Sequence, residues 1–381
     1  MKKRRIKKWP LFVLLLMICS VFGTLHIFSG YFEKNSDADG PQKLEKEENK
    51  EIKYSTSFTL GGNVLVNSNM WYDTMLADGK YEFNDVVVSL NDIMKKSSIN
   101  FYAQQSIVGG NELGLSMYYD YNSPTDVVDA MKGIGFNMMS LASYHSYDRG
   151  LTGITNSVNY LNSKDIVYSG VNDSIDNKSN SNIVVKNGIR VGLLSYTIGT
   201  DESVIEPYAV NIYSDDKVKN DVETIKKDVD VIMVSIDWSN IKTSEVTDEQ
   251  KRIAKYLSDM GVNILVGNTG YTIQPIEFVG NMLTCYSLGN LLSGHVAVDS
   301  RISAMLDFNL VLTKSAEGTK INFEDMNVLL TFAYNSYNTQ YKIIPFTKLS
   351  TELTDYKFYY DKYKNMLVTS NDQIKMYPIG E

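Results

Sequence analysis

Histidine is nearly missing from this chain: three of 381 residues, His26, His145 and His295. A metal centre or acid–base pair built on imidazoles therefore has very few places to be. Cysteine is scarcer still. Cys19 lies in a long apolar run and Cys285 in "MLTCYSL", which reads as a buried strand, so no disulfide forms within the part of the chain that follows the run. "GVNILVGNTG" has spaced glycines, but there is no G-x-x-x-x-G-K-[ST] phosphate loop and no G-x-G-x-x-G turn after a strand. No Ser nucleophile elbow, Cys–His pairing or internal repeat is visible either. Positive charge is short outside the first eight residues. Six of the 37 Lys and Arg are Lys2, Lys3, Arg4, Arg5, Lys7 and Lys8, no acid occurs before Glu33, and the remainder carries 31 basic against 45 acidic residues. Phosphates would be repelled over most of such a surface, which argues against nucleic acid as a partner.

What is present begins with the basic cluster, which leads into "WPLFVLLLMICSVFGTLHIFSGYF". Trp9 to Phe28 make about 20 largely apolar residues, enough to cross a hydrocarbon core. This predicts a cytoplasmic basic tail over 1–8 and one transmembrane helix over 9–32, with Trp9 and Tyr31 at the two interfaces. The six cations hold the N-terminus inside and send the rest of the chain outward, giving a single-pass protein of the cell membrane with an extracytoplasmic domain. The run is longer than the apolar part of a usual signal peptide, no A-x-A-like site follows, and "LMIC" lacks the small residue expected before a lipoprotein cysteine. An uncleaved anchor is favoured. Residues 33–53, "EKNSDADGPQKLEKEENKEIK", are charged and almost free of apolar side chains, so they read as a flexible tether.

From Tyr54 onward the pattern alternates. Apolar runs at 56–60, 137–142, 190–196, 230–236, 263–266 and 282–287 read as strands, several nearly continuous and hence buried on both faces. Helices are expected between them at 84–97, 124–133, 152–163, 216–227 and 247–260. Ser123 caps the second of these with Pro124 in its first turn, and Asp248 and Gly261 bracket the last. Strands separated by amphipathic helices mean an α/β domain, placed at 54–310, whose strand-tip loops carry any site. After 302 the text grows poor in helix and predicts a β-rich closing portion, 311–381.

His145 sits at such a tip, after the short apolar run Met138 to Ala142. The tips in order read "FTLGGNVLVNSNMWYD" (58–73), "NFYAQQSIVGGNELGL" (100–115), "NSPTDVVDAMKGIGFNMMSLASYHSYDRGLTGI" (122–154), "IMVSIDWSN" (232–240) and "GVNILVGNTGYTIQPIEFVGNMLTCYSLGNLL" (261–292). Together they resemble the CapA family, associated with poly-γ-glutamate capsule synthesis and similar in fold to metallo-dependent phosphatases. The resemblance covers roughly 55–310. It implies a metallophosphatase-like layered α/β sandwich.

Carried over residue by residue, the family's motifs survive unevenly. Its first loop reads Gly-Asp and then His; here Gly62-Asn63 and Asn67 stand there. Its Asn-Gln-Glu-Thr is here Ala103-Gln104-Gln105-Ser106, and its Ala-Asn-Asn-His keeps only the histidine in Ala142-Ser143-Tyr144-His145. His-Trp-Gly has become Asp237-Trp238-Ser239. His-Pro-His has become Thr269-Gly270-Tyr271, while Gln274, Pro275, Ser287, Leu288, Gly289 and Asn290 remain. A two-metal hydrolytic site needs imidazoles and a bridging carboxylate. Asn63, Asn67, Gln105, His145, Asp237 and Asn290 carry one formal charge, so no metal and no other cofactor is expected.

His145 and Asp237 are the candidate catalytic residues, and Asn63, Gln105, Tyr271 and Asn290 the candidate ligand-binding ones. Each also has a structural reading. His145 can be a hydrogen-bonded strand-end histidine with no carboxylate in the aligned loops to tune it, Asp237 can cap the turn before Ser239, and Asn290 can stabilise a turn. His295 lies a few residues past the fifth loop and is the other histidine able to reach the site. The 26 tyrosines, many in "MYYDY", "YDKY" and "FYY", offer amphipathic contact surface for a partner or a glycan. Two functions remain open. One is a binding or assembly component whose metal site has decayed, working with a membrane polymer-synthesis complex or an extracellular polymer. The other is a metal- or His145-dependent hydrolase of a phosphoester or peptide-like bond.

Overall fold

The computed structural model describes residues 51–176, 182–239, 241, 243–268 and 271–379. The expected basic tail, membrane helix and most of the tether lie outside these. Among the described residues no helix is long and apolar enough to cross a membrane. Glu51–Glu381 is one compact unit.

Two sheets face each other. The first runs β14–β13–β12–β1–β2–β3–β4, from β1 (Ile52–Val64), β2 (Ile99–Gln104), β3 (Met138–Ser140), β4 (Val167–Ser169), β12 (Ile302–Ser315), β13 (Gly318–Ser336) and β14 (Thr339–Pro345). The second runs β5–β6–β7–β8–β10–β9, from β5 (Ile183–Lys186), β6 (Ile189–Thr197), β7 (Val231–Asp237), β8 (Ile264–Asn268), β9 (Ile276–Val279) and β10 (Met282–Cys285). β1 to β4 are parallel, as are β6, β7, β8 and β10. Period-two alternation gives each sheet one face for the other. Phe58, Leu60, Ile99, Phe101, Leu306 and Leu310 pack on Val191, Leu193, Val231, Met233, Ile264 and Val266 between the sheets.

The outward faces are covered by helices: α1 (Ser68–Thr74), α2 (Asn84–Val87), α3 (Asn91–Met94), α4 (Asp126–Gly133) and α5 (Gly150–Asn162) on the first sheet, α6 (Asp215–Ile225) and α7 (Asp248–Asp259) on the second. Ile232, Val234 and Leu265 bury against Val222, Ile253 and Leu257. The result is a four-layer α/β sandwich.

Several boundaries differ from the sequence reading. β1 begins at Ile52, inside the expected tether, because Ile52 and Lys53 already pair with Lys314 and Thr313 of β12. The expected helix over 84–97 is three short pieces, α2, a 3-10 turn at Val88–Leu90, and α3. Ser123 does not cap α4; its hydroxyl pairs with Ser106 Oγ at 2.7 Å. Thr247 caps α7 in a capping box with Gln250. The closing portion supplies β13 and β14 to the first sheet, and also a 15-residue helix, α8 (Tyr356–Ser370), which the sequence did not announce.

Candidate functional site

The inward-facing row of each parallel strand changes character before the strand ends. Along β7, Val231 and Met233 lie in the inter-sheet core, and alternation continues that face with Ser235 and Asp237. Along β8, Ile264 and Val266 lead to Asn268, and along β6, Val191 and Leu193 lead to Ser195 and Thr197. All of these polar residues are buried. Asn268 Nδ2 donates to Ser235 Oγ at 2.9 Å, while Asn268 Oδ1 and Ser195 Oγ have no partner among the described residues. Buried polar atoms in that state are where solvent or a ligand's polar groups bind.

The first sheet answers with amides. The β1–β2 register slips between Leu60 and Asn63, at Gly61-Gly62. A Cβ on Gly62 would lie 2.1 Å from Gly289 O, and one on Gly289, whose φ is +71°, 2.4 Å from Ile302 O, so both positions must be glycine for the chains to touch. Asn63 N–H then donates to Gly289 O at 2.9 Å, and Asn63 stands in register with Asn290 of β11 (Asn290–Leu292). Asn63 Nδ2 donates to Asn290 Oδ1 at 3.1 Å, and Gln105 Nε2 to Asn63 Oδ1 at 3.2 Å. Asn290 Nδ2 turns to Ser300 O at 2.8 Å. The Gln105 side chain also hydrogen-bonds Asp237, so one network spans the two sheets.

Asp237 is the acid of this network and is 2% exposed. Burial raises its carboxyl to about 6, against the Ser239 N–H, which donates to Oδ1 at 2.7 Å, the Gln105 side chain and the charge of His145. The turn-capping reading of Asp237 and its membership of the site are therefore both met by one side chain.

His145 is positioned by a tightly bonded loop after β3. Ser143 Oγ donates to Gln105 O at 3.1 Å, Ser146 Oγ accepts from Ser143 N at 2.7 Å and donates to Leu141 O at 2.6 Å. His145 Nδ1 lies 2.8 Å from Asp148 Oδ2, and the Asp148 side chain is fully shielded from solvent. The expectation that no carboxylate of the aligned loops serves His145 is corrected here: Asp148, three residues further along the same loop, folds back onto the imidazole. Asp148 Oδ2 also accepts from Tyr121 N at 2.8 Å. From the second sheet, Asp201 follows β6 and donates its N–H to Tyr144 O at 2.8 Å. The His145, Asp148 and Asp201 side chains offer atoms within 4.8 Å of one another.

Aromatic rings gather around the two histidines. Tyr121 and Tyr144 lie 4.5 and 5.3 Å from the His145 ring, and Tyr271 lies 5.3 Å from His295, whose pKa is lowered by burial. Tyr121 has its phenol raised by burial and by the nearby Tyr271 and Asp148. Exposed Tyr118 and Tyr119 lie ring against ring at a tilt, with Tyr118 near Tyr121 and Tyr271. Thr269 and Gly270 lie outside the described residues.

Two carried-over positions are structural. Asn67 Oδ1 caps α1 by accepting from Met70 N at 3.0 Å. Gln274 is fully buried, accepts from Gln250 Nε2 at 2.8 Å and donates to Thr243 O and Glu245 O at 3.1 and 2.9 Å, holding the segment before α7. Neutral amides bonded to one another surround the Asp237 carboxyl. Such a donor set does not fit a pair of divalent ions sharing a bridging carboxylate.

Known proteins bear on this arrangement. Residues 57–295 match the family described as Bacterial capsule synthesis protein PGA_cap. The capsule biosynthesis protein CapA of Bacillus anthracis is 25% identical over 194 residues, 49% of this chain and 47% of that protein. The PGA biosynthesis protein CapA of Bacillus subtilis (strain 168) is 24% identical over 191 residues, 48% and 49% respectively. The chain thus spans about half the length of the curated relatives it matches. Among solved structures, a putative 5′-nucleotidase from Staphylococcus aureus in complex with alpha-ketoglutarate aligns with TM-score 0.41 at 11% identity, covering 82% of this chain and 58% of that one. A 5′-nucleotidase precursor from Thermus thermophilus gives 0.41 at 13%, covering 82% and 59%. With its matched region running from the start of the sandwich through the strand-end loops, the chain belongs to the bacterial capsule synthesis protein PGA_cap family.

Proposed function

We propose that this chain is a membrane-anchored, extracytoplasmic member of its family that binds or assembles rather than hydrolyses, in the synthesis of a capsule or polyglutamate-type surface polymer. The observation that carries the reading is the strand-end network. Asn63, Gln105 and Asn290 bond to one another, to Ser300 O and to Asp237, where hydrolytic chemistry would need charged ligands and an activated water. The cluster of Tyr118, Tyr121, Tyr144 and Tyr271 supports a binding role, since phenols offer flat apolar area with a polar edge. The six N-terminal cations followed by about 20 apolar residues support the anchor.

The His145–Asp148 pair favours a second reading, a His145-dependent hydrolase, because a carboxylate that orients an imidazole is a recurrent part of acid–base sites. Rates on phosphomonoester and phosphodiester substrates, measured with and without added Mn2+ or Zn2+ for the wild type and His145→Ala, separate the two. The binding reading expects no rate that depends on His145. A rate that falls by orders of magnitude in the variant would establish the hydrolase instead.

A further inference from the structure

We propose that a cavity at the edge of the sandwich, where β4 of the first sheet, β5 and β6 of the second and α6 meet, binds one zwitterionic amino acid. The cavity holds about 200 Å3, and none of the strand-end motif residues lines it. Pockets for drug-sized ligands run to roughly 300–1,000 Å3, so this one takes a smaller molecule.

Asn182 supplies the observation that points to a ligand. It is 9% exposed, it lines the cavity, and among the described residues its side-chain amide bonds nothing. A buried amide in that state is completed by polar groups that enter from the cavity. Two further donors line the same space. Asn211 Oδ1 accepts from Asn172 Nδ2 at 3.4 Å, and its own Nδ2 has no acceptor among the described residues. Ser169 Oγ accepts from Ser195 N at 3.0 Å, and its hydroxyl proton has none there either. Donors in this state take a ligand oxygen, and the Lys217 ammonium beside them favours a carboxylate.

Charge decides the rest of the ligand. Lys217 Nζ lies 3.0 Å from Asp221 Oδ2, which also accepts from the buried Tyr196 hydroxyl at 2.9 Å, so the pair is tied to β6. Asp228, past the end of α6, is the third charged group of the lining, and one cation with two carboxylates leaves a balance of −1. A simple anion would meet net repulsion there. A molecule that carries an ammonium beside its carboxylate satisfies the donors and the acids together. Buried Leu194 and Ile225 offer an apolar wall to its side chain. The site stands apart from the strand-end network, whatever that network binds.

The common L-amino acids are screened singly against the full-length chain by ligand-observed NMR at about 10 mM, which registers a Kd on the order of 1 mM. At least one is expected to bind, with its N-acetyl and carboxamide derivatives each about fivefold weaker or worse, since each lacks one charge. Its affinity should fall by a similar factor in Asn182→Ala and Lys217→Gln, and stay close to wild type in Lys219→Gln, an exposed cation on the same helix. Lys217 is partly exposed, so its variant decides the matter even where Asn182→Ala does not fold. Absence of binding by every amino acid would overturn the site, as would derivatives that bind as well as their parent. Affinity unchanged in both cavity variants would place the amino acid elsewhere, and an equal loss in Lys219→Gln would mean general attraction to charge; either result also overturns it.

Discussion

Asp237 concentrates the behaviour of single residues in this site. Burial raises its carboxyl to about 6, whereas in the unfolded chain it titrates near 3.8. The folded state therefore binds the extra proton between those values, and stability falls as pH rises from about 4 through about 6. Above pH 6 the full cost of a buried carboxylate is present. Asp237→Asn keeps an oxygen for the Ser239 N–H and carries no charge. In chelator-treated protein it should be more stable than wild type at pH 8, on the order of 2 kcal/mol, with the gain shrinking to near zero by pH 4. Urea melts at the two pH values check this, and a loss of stability at pH 8 would mean that the charge at 237 is needed. How legible such residues are from sequence depends on distance. His145, Asn63, Gln105, Asp237 and Asn290 could each be picked out, because motif order brings strand tips together. The pairing of Asn63 with Asn290 rests on the Gly62–Gly289 approach, a contact between chain segments more than two hundred residues apart, and Asp201 lies in a loop with no motif at all.

Elements were readable where burial is two-sided. β6, β7, β8 and β10 fall on continuous apolar runs, as parallel strands covered on both faces must. β2 escaped because Asn100 and Gln104 interrupt its apolar text. Asn100 is nonetheless buried, its Nδ2 held by Met94 O and Gly135 O at 3.1 and 2.9 Å, bonds that only the folded chain supplies. The 84–97 helix broke up where Val86, Val87 and Val88 run together, since β-branched side chains are poor helix formers. α8 was hidden because half of its apolar content is tyrosine, which reads as readily as surface. Between elements, Asp230 joins the two sheets: it lies 3.1 Å from Arg190 Nε of β6 and 2.9 Å from Lys314 Nζ of β12. Burial works against its charge, yet the Arg190 guanidinium, the Arg190 N–H and the Lys314 ammonium together hold it well below the usual carboxylate range. A depressed carboxyl contributes stability above its unfolded pKa and loses it as pH falls. Asp230→Asn should therefore cost about 1 kcal/mol at pH 7, with the gap to wild type narrowing below pH 4, as read from denaturant midpoints. A constant gap across that range would remove the ion pair as its cause.

At the scale of the whole molecule, charge is divided along the chain. Six cations precede an apolar stretch of about 20 residues, and everything after it carries 45 acids against 31 bases. A cationic end beside a hydrocarbon-length segment resists translocation, while the acidic remainder meets no such barrier. Glu51–Glu381 folds as one compact unit, and the residues that join it to the apolar stretch are charged and nearly devoid of side chains able to bury apolar area. The proposed topology then has a definite proteolytic signature. Protease added to intact cells should cut first in the charged segment between 33 and 50, freeing the folded domain and leaving a membrane-held stub that an N-terminal tag reports. The same cut should not release the stub in carbonate, because an apolar span of that length leaves the bilayer only with detergent. A domain protected until the membrane is breached would place it in the cytoplasm and withdraw the extracytoplasmic reading. Release of the tagged stub by carbonate would withdraw the anchor while leaving the sandwich and its strand-end site as they are.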